Sequence, residues 1–150
     1  MKKYRPNVAF ILRRESGEVL WCEREDWRES WQFPQGGVDK NETPESAVVR
    51  EVKEEIALYP KSYRMVEQRG PYTYDFPPDN KRFKQYAGQK QTYFLADLTD
   101  SKWKPKFGSD PEFVRAIWIM PEEISIASVP QMKQDVYRAV LRDFFHVNAT

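Results

Sequence analysis

The sequence predicts one α/β domain. Three observations carry this expectation. Short apolar runs with strand character occur at Val8 to Leu12, Gln91 to Ala96 and Phe113 to Ile119. Two segments, Thr43 to Leu58 and the stretch after Pro130, place apolar residues at helical spacing instead. No internal repeat and no linker separates them, so 150 residues form a single unit spanning 1–150. A chain of this length can remove roughly two-thirds of its unfolded surface from water.

Val8 to Leu12 reads as a buried strand. The turn at Ser16-Gly17-Glu18 leads into Val19-Leu20-Trp21-Cys22, which predicts a hairpin. A charged, tryptophan-bearing loop follows, and Gln32-Phe33 is extended before Pro34 and the Gly36-Gly37 pair interrupt it. Thr43-Pro44-Glu45 opens a helix: Thr43 suits the cap, Pro44 the first helical position, and Glu45 the positive end of the dipole. Pro60 stops it. Tyr63 to Arg69 alternates as a strand, and Gly70 to Gly88 reads as a long basic loop, a length associated with function. Pro121-Glu122-Glu123 opens a short helical turn. The last helix groups Met132, Val136, Val140, Leu141 and Phe144 on one side.

Composition excludes several classes. Net charge is +1, from 24 basic and 23 acidic side chains, which argues against holding nucleic acid by bulk electrostatics. The charges are nevertheless segregated. Acids dominate from Asp39 to Glu55, and bases gather at Lys81, Arg82, Lys84 and Lys90 and again at Lys102, Lys104 and Lys106. An acidic centre beside basic strips fits a metal-dependent enzyme acting on a polyanion. With Cys22 alone, no intrachain disulfide and no cysteine metal cluster can form. The five-residue apolar run near the start is too short for a signal peptide or a membrane span, so a cytoplasmic protein without membrane attachment is expected. Monomer and homodimer are both compatible with the sequence.

The chemistry points to the first helix. At about 100° per residue, Glu51, Glu54 and Glu55 fall within roughly a third of its circumference, while Val48, Val49, Val52 and Ile56 occupy an adjoining sector that can bury against a sheet. Like charges at this spacing repel by about 0.2–0.5 kcal/mol per pair. Lys53 sits off the acidic face and Arg50 is the nearest partner. A divalent cation would remove the repulsion, because carboxylate oxygens are favoured ligands of magnesium. A solvated acidic face is the commoner meaning of paired glutamates, and the surrounding pattern argues against it here.

That pattern is Gly36, five residues, Glu42, seven residues, then Arg50-Glu51-Val52-Lys53-Glu54-Glu55-Ile56-Ala57-Leu58. It resembles the Nudix box at every fixed position but one, since Ala57 stands where the family usually has glycine at the helix exit. Further segments, Tyr4-Arg5-Pro6-Asn7-Val8, Trp31-Gln32-Phe33-Pro34-Gln35, Gly88-Gln89-Lys90-Gln91, Pro111-Glu112-Phe113 and Lys133-Gln134-Asp135-Val136-Tyr137, are similar to the branch containing RNA pyrophosphohydrolases and asymmetric dinucleoside tetraphosphate hydrolases.

The resemblance implies a Nudix fold, an α/β/α sandwich around a mixed sheet. It implies Mg²⁺, with Mn²⁺ as a substitute, bound by Glu51, Glu54, Glu55 and the Gly37 carbonyl, and an extra carboxylate from Glu112. Arg50 would orient the glutamates, and Glu42 would support the loop. Arg5, Arg24, Tyr74, Gln89, Lys90, Met132 and Lys133 would contact the substrate, with Met132 standing where RNA enzymes often carry a stacking phenylalanine. Three functions remain open at this point: cleavage of RNA 5′-triphosphate or diphosphate ends to a monophosphate, asymmetric cleavage of diadenosine tetraphosphate to ATP and AMP, and a non-catalytic nucleotide-binding module. The intact glutamates weigh against the last.

Overall fold

The computed structural model describes residues 2–149. A central strand β1 (Lys3–Arg13) runs parallel to β6 (Tyr86–Leu98), which in turn pairs antiparallel with β5 (Tyr63–Asp75). The other side of β1 receives a short strand β4 (Gln35–Gly37) at Asn7, Val8 and Ala9. β2 (Val19–Arg24) lies antiparallel to β7 (Phe113–Ile119) and also pairs with β3 (Trp31–Gln32). The sheet is therefore mixed, with the path β3-β2-β1-β6-β5.

Alternation along β1 produces two cores. Val8, Phe10 and Leu12 face helix α1 (Pro44–Ile56) through Ala47, Val48, Val52 and Ile56. Ala9 and Ile11, with Tyr93 and Leu95 of β6, face helix α2 (Gln134–Phe145) through Val136, Tyr137, Val140, Leu141 and Phe144. A strand whose successive side chains point to opposite faces, both covered, reads as a continuous apolar run. That is the run Val8 to Leu12, and it sits at the centre of an α/β/α sandwich.

Two expectations change. The β1–β2 connection is tight, with the Arg14 amide donating to the Glu18 carbonyl at 2.9 Å, yet the two strands share only the Arg13–Val19 pair. β2 diverges to pair with β7, so the predicted hairpin is a corner. The long loop from Gly70 to Gly88 shrinks to residues 76–85, because β5 continues to Asp75 and β6 begins at Tyr86. The strand tolerates Pro71 because it lies in a register irregularity between Arg69 and Tyr72, on the outermost strand of that side of the sheet, where a missing N–H costs the ladder little. No helix among the described residues is long and apolar enough to cross a membrane.

Candidate active site

Helix α1 is fixed at its start by a reciprocal cap. Thr43 Oγ1 accepts from the Ser46 amide, and Ser46 Oγ accepts from the Thr43 amide, both at 3.1 Å. Burial of Val48, Val52 and Ile56 then fixes its rotation. The consequence is that carboxylate oxygens of Glu51, Glu54 and Glu55 all lie within 4.8 Å of one another.

Arg50 ties this cluster to the preceding loop. Its Nε and Nη2 donate to the two oxygens of Glu42 at 2.7 and 2.9 Å, a bidentate pair, and Nη1 donates to Glu51 at 2.9 Å and more weakly to Glu54 at 3.4 Å. The Arg50 guanidinium, together with the Asp39 amide, holds the Glu42 carboxyl down at about 2. Nη2 also donates to the Gly37 carbonyl at 3.0 Å. That carbonyl, expected as a metal ligand, is thus engaged by Arg50, which belongs to the same loop-to-helix latch. Gly36 is the glycine that abuts the carboxylates: a Cβ there would stand 2.0 Å from Glu51 Cδ.

Glu112, from the turn before β7, meets Glu55. Burial, followed by the charge of Glu55, pushes the Glu112 carboxyl up to about 8, so Glu112 holds its proton and donates a hydrogen bond to Glu55. Burial likewise raises the Glu51 and Glu55 carboxyls from their ordinary value. A cluster of partly desolvated acids has the oxygen-rich donor chemistry that suits a hard divalent cation. The residues present therefore fit a divalent ion.

A cleft of about 460 Å³ opens beside the cluster, lined by Glu51, Glu55, Glu112 and Gly36 and by Arg5, Arg24 and Gln89. This is a size suited to a nucleotide. Gln89 is buried and links Arg5 Nη1 (3.0 Å) to the Tyr74 hydroxyl (3.1 Å), so three predicted contact residues form one chain. Tyr74, Met132 and Lys133 line an adjoining recess that shares Arg24, Gln89 and Glu112 with the cleft. Lys133 is 3% exposed, and its amine donates to Gln32 at 2.9 Å. Burial, then the charge of Arg24, pulls that amine down to about 7. Arg24 is clamped to Asp26 through two hydrogen bonds of 2.9 and 2.7 Å.

Lys90 departs from expectation. Strand alternation turns Gln89 and Gln91 inward, where Gln91 bonds Asn7 and Gln35, and sends Lys90 to the opposite, exposed face of β6, away from the cleft. Met132 is partly buried against the α2-side core as well as lining the recess, so it serves both readings. Sequence reasoning missed Arg82 and Phe83, which line both cavities. The signal available was the basic loop that carries them.

A model of the NUDIX domain matches residues 3–144 of this chain. The chain belongs to the Nudix family. Similar Nudix proteins include the RNA pyrophosphohydrolase of Hahella chejuensis, 38% identical over 147 residues that cover 94% of this chain and 90% of the relative. The RNA pyrophosphohydrolase of Photobacterium profundum is also 38% identical, covering 94% of this chain and 83% of the relative. Among solved structures, the E. coli dihydroneopterin triphosphate pyrophosphohydrolase superposes with a TM-score of 0.75 at 18% identity, covering 95% of this chain and 97% of that one. A C. elegans Ap4A hydrolase complex does so with a TM-score of 0.66 at 20% identity, covering 93% and 99%. At those identities the structural likeness establishes the Nudix fold. Nudix hydrolases generally need a divalent metal, in keeping with the acid cluster on α1.

Proposed function

We propose that this chain is a single-domain RNA 5′-pyrophosphohydrolase that acts in the cytoplasm on triphosphate or diphosphate ends, leaving a monophosphate and promoting decay of the RNA. The observation that carries the reading is the convergence of Glu51, Glu54 and Glu55 at one edge of a cleft whose other walls bear Arg5, Arg24 and Gln89. The relatives that share 38% of the sequence over nearly its whole length are named RNA pyrophosphohydrolases, which supports RNA as substrate.

Glu51, Glu54 and Glu55 would hold Mg²⁺, or Mn²⁺ in its place, with Glu112 adding a carboxylate through its contact with Glu55. The metal supplies charge neutralisation on the phosphate chain and an acidified water. In the reaction a water oxygen forms a bond to phosphorus while an anhydride P–O bond breaks, the water gives up a proton, and phosphate or pyrophosphate leaves. Arg50 orients Glu51 and Glu54 and keeps the Glu42 loop against the helix. Arg5, Gln89 and Tyr74 position the chain of phosphates, and the buried Lys133 gains a proton and a charge partner when an anion enters the recess.

The test compares initial rates on triphosphorylated RNA and diadenosine tetraphosphate at equal concentration with magnesium. Faster conversion of RNA to the 5′-monophosphate supports the reading. A clear preference for the dinucleotide replaces RNA as substrate. A Glu54→Gln protein is expected to lose at least about a hundredfold in kcat, the scale of removing one preorganised charge-stabilising group, and full activity would overturn the metal-ligand assignment.

A further inference from the structure

We propose that the loop between β5 and β6 builds a two-guanidinium clamp for the phosphates beyond the one attacked, with Phe83 as the positioning residue and Arg82 as a phosphate ligand alongside Arg5. This rests on the reading of the cleft as a polyphosphate site. The Cζ atoms of Arg5 and Arg82 lie 4.4 and 4.9 Å from the centre of the Phe83 ring. Phe83 is itself stacked on Phe76, with ring centres 5.5 Å apart and planes tilted by 22°. The loop is tied internally, since Asn80 Oδ1 accepts from the amides of Arg82 and Phe83 at 3.1 and 3.2 Å, and the Tyr86 amide donates to the Phe83 carbonyl at 3.0 Å. The ring is therefore presented by a structured turn.

The charge arrangement is unusual for a surface loop. Among the described residues, neither Arg5 nor Arg82 lies within 4.0 Å of a carboxylate, although most arginines on this chain do, including Arg13, Arg14, Arg24, Arg50 and Arg64. Arg5 spends one donor on Gln89 and packs against Gly37, where a Cβ would stand 2.1 Å from its Nη2. The ring attracts each cation by about 0.5–2 kcal/mol and holds both beside it, where their like charges repel. An anion bridging them removes the repulsion. Both line the cleft that Glu51 and Glu55 line, so one wall is acidic and another bears two guanidinium groups with free donors. A chain of phosphates lying along the cleft would place the attacked phosphorus at the carboxylates and the distal groups at the guanidinium pair.

The experiment measures binding of inorganic tripolyphosphate and inorganic pyrophosphate by calorimetry in magnesium buffer, for the natural protein and for Arg82→Gln, Phe83→Leu and Phe83→Tyr, alongside kcat and KM on triphosphorylated RNA. Loss of one charge-assisted phosphate contact predicts tripolyphosphate binding weakened about tenfold or more in Arg82→Gln and Phe83→Leu, with a smaller change for pyrophosphate. KM rises in parallel while kcat holds, and Phe83→Tyr, which keeps the ring, restores binding. Unchanged tripolyphosphate affinity in Arg82→Gln and Phe83→Leu overturns the clamp even if RNA is the substrate. A loss in Phe83→Leu that Phe83→Tyr does not restore overturns the positioning role. Weakened tripolyphosphate binding in a protein that does not cut RNA supports the clamp and overturns RNA as substrate, so the two ideas fail separately.

Discussion

Replacing Ala57 with glycine removes a backbone penalty at the end of the helix that carries Glu51, Glu54 and Glu55. Ala57 adopts φ 57° and ψ 41°, the left-handed region, and its amide closes the helix by donating to the Lys53 carbonyl at 3.2 Å. The conformation is held from outside: the Ala57 carbonyl accepts from the Trp103 indole at 3.0 Å, and the Ile56 carbonyl accepts from the Lys106 amide at 3.2 Å. A left-handed residue with a Cβ costs roughly 1–2 kcal/mol. Glycine costs about 0.5–1 kcal/mol more in chain entropy on folding. The balance predicts that Ala57→Gly stabilises the protein by roughly 0.5–1 kcal/mol, a shift of about 1–4 °C in Tm for a chain of this size. Urea unfolding is the assay, and the midpoint should rise at constant slope. Turnover should be unchanged, since no carboxylate moves. A midpoint that stays fixed or falls would refute the strain argument and show that the flanking contacts relax the turn around the alanine methyl.

Three other outcomes follow from the same geometry. Gly36→Ala puts a methyl onto the Glu51 carboxylate and displaces it, so Mg²⁺ affinity measured by calorimetry should drop roughly tenfold to a hundredfold with little change in far-UV circular dichroism. The Glu42 pair with Arg50 holds that carboxyl at about 2, below its usual 4.5, so its contribution to stability is fully present above pH 4.5 and disappears as pH falls to 2; Glu42→Gln should flatten the acid unfolding profile in that window. Lys133 behaves in the opposite sense. Its amine sits at about 7 in the folded protein against 10.5 ordinarily, so between those values the unfolded chain holds the extra proton and stability rises with pH; Lys133→Met should abolish that rise in denaturation curves taken from pH 7 to 10.5.

Elements that depend on local pattern were legible in the sequence. The cap at Thr43, the acidic sector of α1 beside its buried sector and the strand at Phe113–Ile119 all depend on neighbours within a few residues, and all are present; the helix, expected to run until Pro60 stopped it, ends earlier at Ile56, closed by the left-handed Ala57, and Pro60 opens the next turn. The box spacing alone placed Glu51, Glu54 and Glu55 together, because helix geometry fixes where residues three and four apart must point. Tertiary structure decided whatever depends on pairing between distant segments. β2 left β1 for β7, and Pro71 entered a strand because the β5–β6 ladder carried it past the interruption. Lys90 and Gln89 were indistinguishable as candidates until strand register set one outside and one inside. Glu112 meets Glu55 across 57 residues, and Arg5 shares one ring with Arg82 across 77. A helix phase is written in a dozen adjacent residues, whereas strand register and loop closure are set by burial summed over the whole sheet, which no short window contains.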